Sequence, residues 1–389
     1  MKEQVVTPKQ EKQSLFFDVA PNIWGTRDVF VNMYMIKDDA SDNWVLVDTG
    51  LKSSTARIKK MAETLFGENA KPPAIILTHG HFDHVGSVAT LADEWRVPVY
   101  CHYLELPYLS GKSAYPPPDS TVNGGLMAKI SWIYPKKSID IGNKLRILPP
   151  GDNVPFLSGW RYIYTPGHAP GHISLFRESD KVLIAGDAIV TTISESVMSV
   201  LSQKKKISGP PKYFTYDWEA AKNSVLALAA LEPEVIATGH GKPMSGNEMK
   251  IALHNLSRNF DQVAKPKHGR YKDEAAIVDA SGVMYVPPLD KRFPWLLVTV
   301  GISVLAATAT VMLLASKKKK KRSLADQVIG NVVDKVSELQ KTVDHIKKDL
   351  SKNAQHTMRS AQKTTEKTRK QLQKEVLPVL KDKLGRYAL

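Results

Sequence analysis

Residues 74–87 read Ala-Ile-Ile-Leu-Thr-His-Gly-His-Phe-Asp-His-Val-Gly-Ser, and this stretch decides the fold. The apolar run 74–77 predicts a buried strand, and the polar run after it predicts a loop at the end of that strand. The loop carries four potential metal ligands in the pattern H-x-H-x-D-H: His79, His81, Asp83 and His84. Neutral imidazoles and carboxylates are the ligands that zinc and similar metals accept. Because one metal ion needs fewer ligands from one loop, the stretch predicts two metal ions.

Further His and Asp residues stand in the same kind of place, where a strand-like run ends in a glycine-containing turn: Asp48, His168, Asp187 and His240. Each is therefore predicted at a point where a strand ends in a turn, and such points on a rigid sheet commonly hold binding sites. Taken singly, each is an ordinary turn residue. Taken together and in this order, they predict one site.

This ordered set resembles the motifs of the metallo-β-lactamase superfamily, and the resemblance covers roughly residues 16–249 with a match to all five motifs. It implies one metal held by His79, His81 and His168, a second held by Asp83, His84 and His240, Asp187 bridging the two, and Asp48 steadying the ligand loops from behind. The Asp-His pair at 83–84 is similar to the dinuclear hydrolases of the family, such as glyoxalase II, lactonases and ribonuclease Z. It is unlike the antibiotic-degrading enzymes, in which these positions vary.

The resemblance implies two zinc ions as cofactors, with iron or manganese as alternatives. Two such ions about 3.5–4 Å apart lower the pKa of a shared water and polarise a substrate oxygen. Asp83 and Asp187 are the residues we expect to orient that water or to pass its proton to the leaving group. No serine or cysteine nucleophile is required, and the single cysteine, Cys101, is predicted to be a buried strand residue.

Short β-rich runs alternate with helical stretches from residue 16 onward, and apolar spacing predicts helices at 55–66 and 218–231. This alternation predicts the α/β class and a four-layer αββα sandwich. Two segments, 103–137 and 196–216, break the pattern, and both lids over the site and plain surface connections stay open for them. His102, His172 and His254 lack the context of the other histidines, so we expect structural roles for them, but His172 is close enough to His168 in the chain that a role in supporting the ligands stays open.

Four regions are predicted: a flexible N-terminus at 1–15, a hydrolase domain at 16–290, a transmembrane helix at 293–316 and a basic helical tail at 317–389. The 24 residues of 293–316 carry no charge, with Trp295 at one end and the basic run 317–322 at the other. That length is sufficient to cross the bilayer core of about 30 Å. We therefore expect a single-pass protein of the cell membrane. The positive-inside rule places the tail in the cytoplasm, although nothing at the N-terminus directs export of the enzyme domain.

The tail from 317 onward holds 20 Lys and Arg against 8 Asp and Glu, so it carries +12 of the net charge of +15. The basic charge therefore says little about what enters the active site. Apolar residues at alternating steps of 3 and 4 between 325 and 350 predict about three heptads of coiled coil. This helix could pair with a second copy, lie on the membrane or bind a partner helix. Aromatic residues that could stack on bases are scarce there, so we do not expect nucleic acid as a partner.

Three classes of function follow. The first is a membrane-anchored metal-dependent hydrolase of a small ester, thioester or lactone. The second keeps the fold with other chemistry: a phosphodiesterase or nuclease, or an iron-dependent sulfur dioxygenase. The third is an interaction protein in which the tail is the functional part. Seven intact ligands argue against the third class, and residues 16–290 offer no extra basic module for a nuclease. A lactonase is disfavoured because no tyrosine follows Asp187 within 188–191. Glyoxalase II is disfavoured because no glutathione-binding helical domain is evident after His240.

Overall fold

Residues 15–289 are described by a computed structural model, and most of their strands fall into two sheets. The first sheet has seven strands in chain order. They are β1 (Phe17–Ala20), β2 (Ile23–Asp28), β3 (Val31–Lys37), β4 (Trp44–Val47), β5 (Ile75–Ile76), β6 (Val99–Cys101) and β7 (Leu145–Ile147). Strands β1 to β4 pair antiparallel, whereas β4 to β7 pair parallel.

The second sheet has five strands in the order β12-β11-β10-β9-β8. They are β8 (Trp160–Tyr164), β9 (Ile173–Arg177), β10 (Val182–Ile184), β11 (Val235–Ala237) and β12 (Met244–Ser245). A separate hairpin joins β13 (Ile277–Asp279) to β14 (Gly282–Tyr285). The predicted strands before Asp48, His79, His168, Asp187 and His240 are thus all present.

The helices are α1 (Thr55–Phe66), α2 (Val88–Trp95), α3 (Leu106–Leu109), α4 (Leu126–Lys129), α5 (Val197–Ser202), α6 (Trp218–Ala230), α7 (Asn247–Arg258) and α8 (Phe260–Val263). The helix predicted at 55–66 is confirmed, and the one predicted from 218 ends one residue early, at Ala230. Helix α6 begins where it does because the Asp217 side chain accepts from the backbone N–H groups of Glu219 (3.0 Å) and Ala220 (2.9 Å).

The alternation of side chains along a strand determines which side of the sheet each residue packs against. In β4, Val45 and Val47 face a core that also contains Ile173 and Val182 of the second sheet. Leu46, which lies between them, faces the opposite side of its sheet. Because side chains of a strand point to opposite faces in turn, one short strand contributes to two layers of the core.

The outer layers are helical. Helices α1 and α2 cover the first sheet, where Ile58 and Leu91 pack with Leu46. Helices α6 and α7 cover the second sheet, where Val225 and Leu253 belong to the same core cluster as Leu183. The predicted four-layer αββα sandwich is therefore confirmed, because a helical layer lies on the outer side of each sheet.

Strand direction places the loops. Strands β4, β5 and β6 run parallel, and so do β10 and β11. Strand β8 runs in the direction of β10, because each pairs antiparallel with β9. The loops after β4 and β5 therefore leave one edge of the first sheet, and the loops after β8, β10 and β11 leave one edge of the second. These five loops carry all the predicted site residues.

The two segments that break the sequence pattern contain structure that the sequence did not reveal. Short helices lie at α3, α4 and α5, and Tyr108 and Tyr115 are buried in the core. Such short helices lack a sequence signal, because a single turn depends on tertiary packing. A plain surface connection is therefore the wrong interpretation for the buried part of 103–137.

Within residues 15–289, no helix is long and apolar enough to cross a membrane. The predicted membrane helix at 293–316, the basic tail at 317–389 with its heptads at 325–350, and the N-terminal segment up to residue 14 lie outside the described residues.

Candidate metal centre

The seven predicted ligands lie in one buried cluster. Three groups of them have ligand atoms within 4.8 Å of one another: His79 with His81 and His168, His79 with His84 and Asp187, and Asp83 with His84 and His240. None of the seven is more than 7% exposed. Two of these groups consist of the same residues as the two predicted ligand sets, and metal binding by them stays a prediction.

Asp187 lies in the middle of the cluster. Its Oδ2 atom is 3.0 Å from Nε2 of His240, 3.4 Å from Nε2 of His168 and 3.6 Å from Nε2 of His84. His168 Nε2 is in turn 2.9 Å from Nδ1 of His81. One carboxylate thus touches histidines of both predicted ligand sets, as a bridging ligand would.

The histidines turn one nitrogen toward the cluster and the other toward a hydrogen-bond partner. His79 Nδ1 lies 3.0 Å from Thr78 Oγ1, and His84 Nδ1 lies 2.7 Å from Asp48 Oδ2. In contrast, the inward Nε2 atoms of His79 and His84 and the Oδ1 atom of Asp187 are buried without any hydrogen-bond partner. Buried polar atoms ordinarily find partners, so these three atoms require an explanation. A divalent metal ion is the ligand that fits such a donor set.

Among the other three histidines, His240 and His81 also have a hydrogen-bond partner at the nitrogen that faces away from the cluster. His240 Nδ1 lies 2.9 Å from the Phe30 carbonyl oxygen, and His81 Nε2 lies 3.2 Å from the Tyr216 hydroxyl. His168 is the exception, because its Nδ1 atom has no partner. A hydrogen bond to the outer nitrogen fixes the tautomer and leaves the lone pair of the inner nitrogen free for a metal.

Asp48 lies behind two of the histidines. Its carboxylate accepts from the Thr78 N–H (2.8 Å), from the Thr78 hydroxyl (2.7 Å) and from His84 Nδ1 (2.7 Å). Through Thr78 it also supports His79. Its backbone has φ of 59°. A non-glycine residue in this left-handed region persists where its surroundings hold it, and such residues cluster at functional sites.

Burial and charge act in opposite directions within the cluster. Burial lowers the pKa of His79, His81 and His168 well below the usual value. Burial alone would raise the pKa of Asp187, but the neighbouring His240 and His84 outweigh it and hold that pKa well below its usual range. Burial likewise lowers the pKa of His84, and Asp48 and Asp187 reverse this effect. His79, His81 and His168 are thus held as neutral imidazoles beside an ionised Asp187, which is the state that metal ligands require, whereas neighbouring carboxylates raise the pKa of both His84 and His240.

Sequence reasoning missed two residues of this region, Glu105 and Tyr216. His172, for which a supporting role stayed open beside a structural one, accepts the backbone N–H of Asp187 at Nε2 (2.9 Å) and lies 2.8 Å from Thr165 Oγ1 at Nδ1. It therefore fixes the backbone of the central carboxylate. The signal for Tyr216 was its place in the aromatic run 213–216 before α6, whereas Glu105 had none. His102 and His254 are half-buried and lie outside the cluster.

Aromatic rings flank the cluster on one side. The Phe214 ring stacks on His81 with centroids 4.7 Å apart, and the Tyr115 ring lies 4.5 Å from it. The Tyr134 ring is 5.9 Å from both Phe82 and Phe214. Both segments that broke the sequence pattern therefore contribute rings next to the site.

Close approach of backbone to ligands explains one glycine. A Cβ atom added at Gly239 would clash with Asp187 Oδ1 and lie 2.7 Å from His84 Cε1. The turn that carries His240 can thus pass beside the central carboxylate only because this residue has no side chain.

Residues 26–240, more than half of the chain, match the family model of the metallo-beta-lactamase superfamily. Together with the αββα sandwich and the His/Asp cluster, this match confirms the predicted family: the chain belongs to the metallo-beta-lactamase superfamily.

The chain is similar to the probable metallo-hydrolase YflN of Bacillus subtilis (strain 168), with 44% identity over 248 residues that cover 64% of this chain and 94% of the relative. It is also similar to the probable metallo-hydrolase YybB of that organism, with 28% identity over 219 residues, 56% of this chain and 84% of the relative. A solved metallo-beta-lactamase family protein from Thermus thermophilus has 19% identity and a TM-score of 0.43, over 62% of this chain and 80% of its own. The chain is a hydrolase of this superfamily.

Proposed function

We propose that this hydrolase acts on a small ester, thioester or lactone and works with two divalent metal ions. Zinc is the metal we expect, and iron or manganese are the alternatives. One observation carries the proposal: the inward Nε2 atoms of His79 and His84 and Oδ1 of Asp187 are buried and unpartnered, within a cluster of five His and two Asp. His79, His81 and His168 would hold one ion, and Asp83, His84 and His240 the other, with Asp187 between them. Divalent ions bound there would lower the pKa of water and polarise the substrate oxygen.

The two carboxylates have different surroundings, and this supports different roles for them. Asp187 Oδ2 lies 3.0–3.6 Å from three histidines, which supports a role for it as the central ligand. Asp83 Oδ2 approaches only His240 among these histidines, at 3.5 Å. Asp83 is therefore the carboxylate with more freedom to orient a water and to carry its proton to the leaving group.

The aromatic side of the cluster supports the substrate class. The rings of Phe82, Tyr134 and Phe214 would pack against an acyl or ring portion of a substrate, whereas a phosphodiester would favour Lys or Arg side chains at that place. The missing tyrosine after Asp187 still weighs against a lactonase, because the hydroxyl of the neighbouring Tyr134 donates to the Met127 carbonyl oxygen at 3.2 Å.

Anchoring of the enzyme in the cell membrane through 293–316, with a cytoplasmic tail, belongs to the same proposal and rests on the sequence. The 325–350 heptads would then pair with a second copy or with a partner helix beside the membrane.

The experiment starts with the full chain purified in detergent, its metal content measured, and the metal removed with a chelator. Zinc is added back, and turnover is followed with a thioester, a lactone, an aryl ester and an aryl phosphodiester. We expect close to two metal ions per chain and restoration of carboxyl-ester-type hydrolysis by zinc. The variant His168→Ala should lose metal and turnover, while His254→Ala, a half-buried histidine bonded to Glu232, should lose neither.

Three outcomes would contradict the proposal. Preference for the phosphodiester would favour the nuclease class. A single iron with oxygen consumption would favour the sulfur dioxygenase class. A chain that binds no metal would leave the cluster without its proposed role.

A further inference from the structure

Glu105 is a fully buried carboxylate that joins two of the ligand loops. It ends the 3-10 turn Tyr103–Glu105 just before α3, and 0% of it is exposed. Both carboxylate oxygens accept from backbone: Oε2 from the Gly80 N–H at 2.8 Å, and Oε1 from the Gly171 N–H at 2.7 Å. Burial raises the pKa of Glu105 to about 7, and the two backbone hydrogen bonds counter this because they are strong and charge-assisted in the ionised form.

The two donors stand inside the ligand motifs. Gly80 lies between His79 and His81, and Gly171 lies three residues after His168. One side chain therefore connects the loops that supply all members of the three-histidine group. Glu105 packs closely against the Gly171 backbone, because a Cβ atom added at Gly171 would lie 2.8 Å from Glu105 Cγ.

Tyr115 completes this junction. Its hydroxyl donates to Glu105 and accepts from the Gly80 N–H at 2.9 Å. Its ring also contacts His81. The junction thus holds both the backbone and one ring of the three-histidine group.

Asp48 supports a different part of the cluster, because its direct partners are Thr78 and His84. We propose that Glu105 is a positioning residue that sets the separation of His79 and His81 from His168, and thereby the metal affinity of the three-histidine site. This inference rests on the proposed metal binding. It goes beyond that proposal by assigning control of one of the two sites to a residue outside the ligand set.

The variant Glu105→Gln tests this with little change in shape. An amide offers one acceptor oxygen, so its NH₂ group would face one of the two backbone N–H donors. The two loops could not both stay bonded to this side chain. Outer partners of metal ligands commonly change affinity by roughly 10–100-fold, and we expect a loss of that size at one of two zinc sites.

The control is another buried carboxylate with backbone donors. Asp119 is 1% exposed and accepts from the N–H groups of Thr121 (2.9 Å) and Arg270 (2.5 Å), both outside the cluster. Asp119→Asn should lower the stability of the fold as Glu105→Gln does, but should leave zinc affinity unchanged. Zinc affinity is therefore a readout that a purely structural role would not move.

Full-length wild type and variants are stripped of metal and titrated with zinc against a chromophoric chelator, and urea unfolding of the metal-free proteins is measured in parallel. To assign the site, Glu105→Gln is added to His168→Ala. If both act on the three-histidine site, the double variant should bind its remaining zinc as the His168→Ala single variant does. Tyr115→Phe, which keeps Glu105, should weaken zinc binding at the same site to a smaller extent. It replaces Glu105→Gln as the test variant if Glu105→Gln does not fold.

Wild-type zinc affinity in folded Glu105→Gln, or an equal loss in Asp119→Asn, would overturn the inference. If Glu105→Gln does not fold, wild-type zinc affinity in Tyr115→Phe would overturn it as well. If the wild type itself binds no zinc, the proposed function fails first, and that result is distinct from a failure of the Glu105 assignment.

Discussion

Replacing Asp48 by Asn should act on the metal site through a tautomer. The Oδ2 atom of Asp48 accepts from His84 Nδ1 at 2.7 Å, which keeps the proton on Nδ1 and leaves Nε2 as the inward lone pair. In Asp48→Asn, Oδ1 can still accept from the Thr78 N–H, but an NH₂ group would face His84 Nδ1. His84 would then have to carry its proton on Nε2, which is the nitrogen that a metal needs.

The magnitude follows from the contacts that are lost. Losing the support of a ligand from behind commonly costs roughly 10–100-fold in metal affinity, or about 1.4–2.8 kcal/mol. In the metal-free domain, His84 has a pKa raised above its usual value, since the carboxylates Asp48 and Asp187 outweigh its burial. Neutralising its buried partner should lower the free energy of unfolding by about 3 kcal/mol, because the other charge stays behind.

Competition with a chromophoric chelator measures the zinc affinity of Asp48→Asn, and urea unfolding of the metal-free protein measures its stability. Asp119→Asn is again the matched control, because it also neutralises a buried carboxylate but lies outside the cluster. If Asp48→Asn unfolds more easily yet binds both zinc ions as tightly as the wild type, Asp48 acts only on the fold, and the tautomer argument is refuted.

Three further predictions concern single residues and the chain end. Asp187→Ala should lose at least one metal and essentially all turnover. His172→Ala should keep its metal and lose about 1–3 kcal/mol of stability, because the Asp187 N–H is left without an acceptor. Elemental analysis measures the metal content, and a loss of metal in His172→Ala equal to that in His168→Ala would contradict this prediction. Burial raises the pKa of the Cys101 thiol, so a thiol reagent at pH 8 should react only after urea is added, and reaction with the native protein would show the strand to be open. Full-length chain should stay with membranes through high-salt and alkaline washes, while the chain cut before Phe293 should be soluble and active; full-length chain in the soluble fraction would contradict the anchor.

The parts of the site that sequence could predict are those that belong to a strand end. His79, Asp187 and His240 each stand two or three residues after the end of an apolar run, so the run, the turn and the polar residue form one local signal. Helix α1 was equally legible, because Ile58 and Met61 repeat at helical spacing and both are buried. Cys101, predicted to be a buried strand residue, is 0% exposed.

The parts that sequence could not predict depend on contacts between distant segments. Glu105 meets Gly171 across 66 residues, and Tyr216 meets His81 across 135. Glu105 has no sequence signal of its own, and the aromatic run 213–216 does not show which residue Tyr216 contacts. Only the packed fold brings each one to its partner, so the residues that orient the ligands are harder to find than the ligands themselves.

The cluster depends on the packing between the two sheets. The first sheet supplies His79, His81, Asp83 and His84, and the second supplies His168, Asp187 and His240. Each of the three groups of potential ligands takes residues from both. The core between the sheets includes Ile76, Ile184 and Ala237, which lie within three residues of a ligand in the chain. Since packed interiors transmit small shifts, a change of sheet separation would reach the ligand atoms directly. Two carboxylates outside the ligand set hold the ligand loops in place. Asp48 orients ligands within the first sheet's loops, and Glu105 links a loop of the first sheet to a loop of the second.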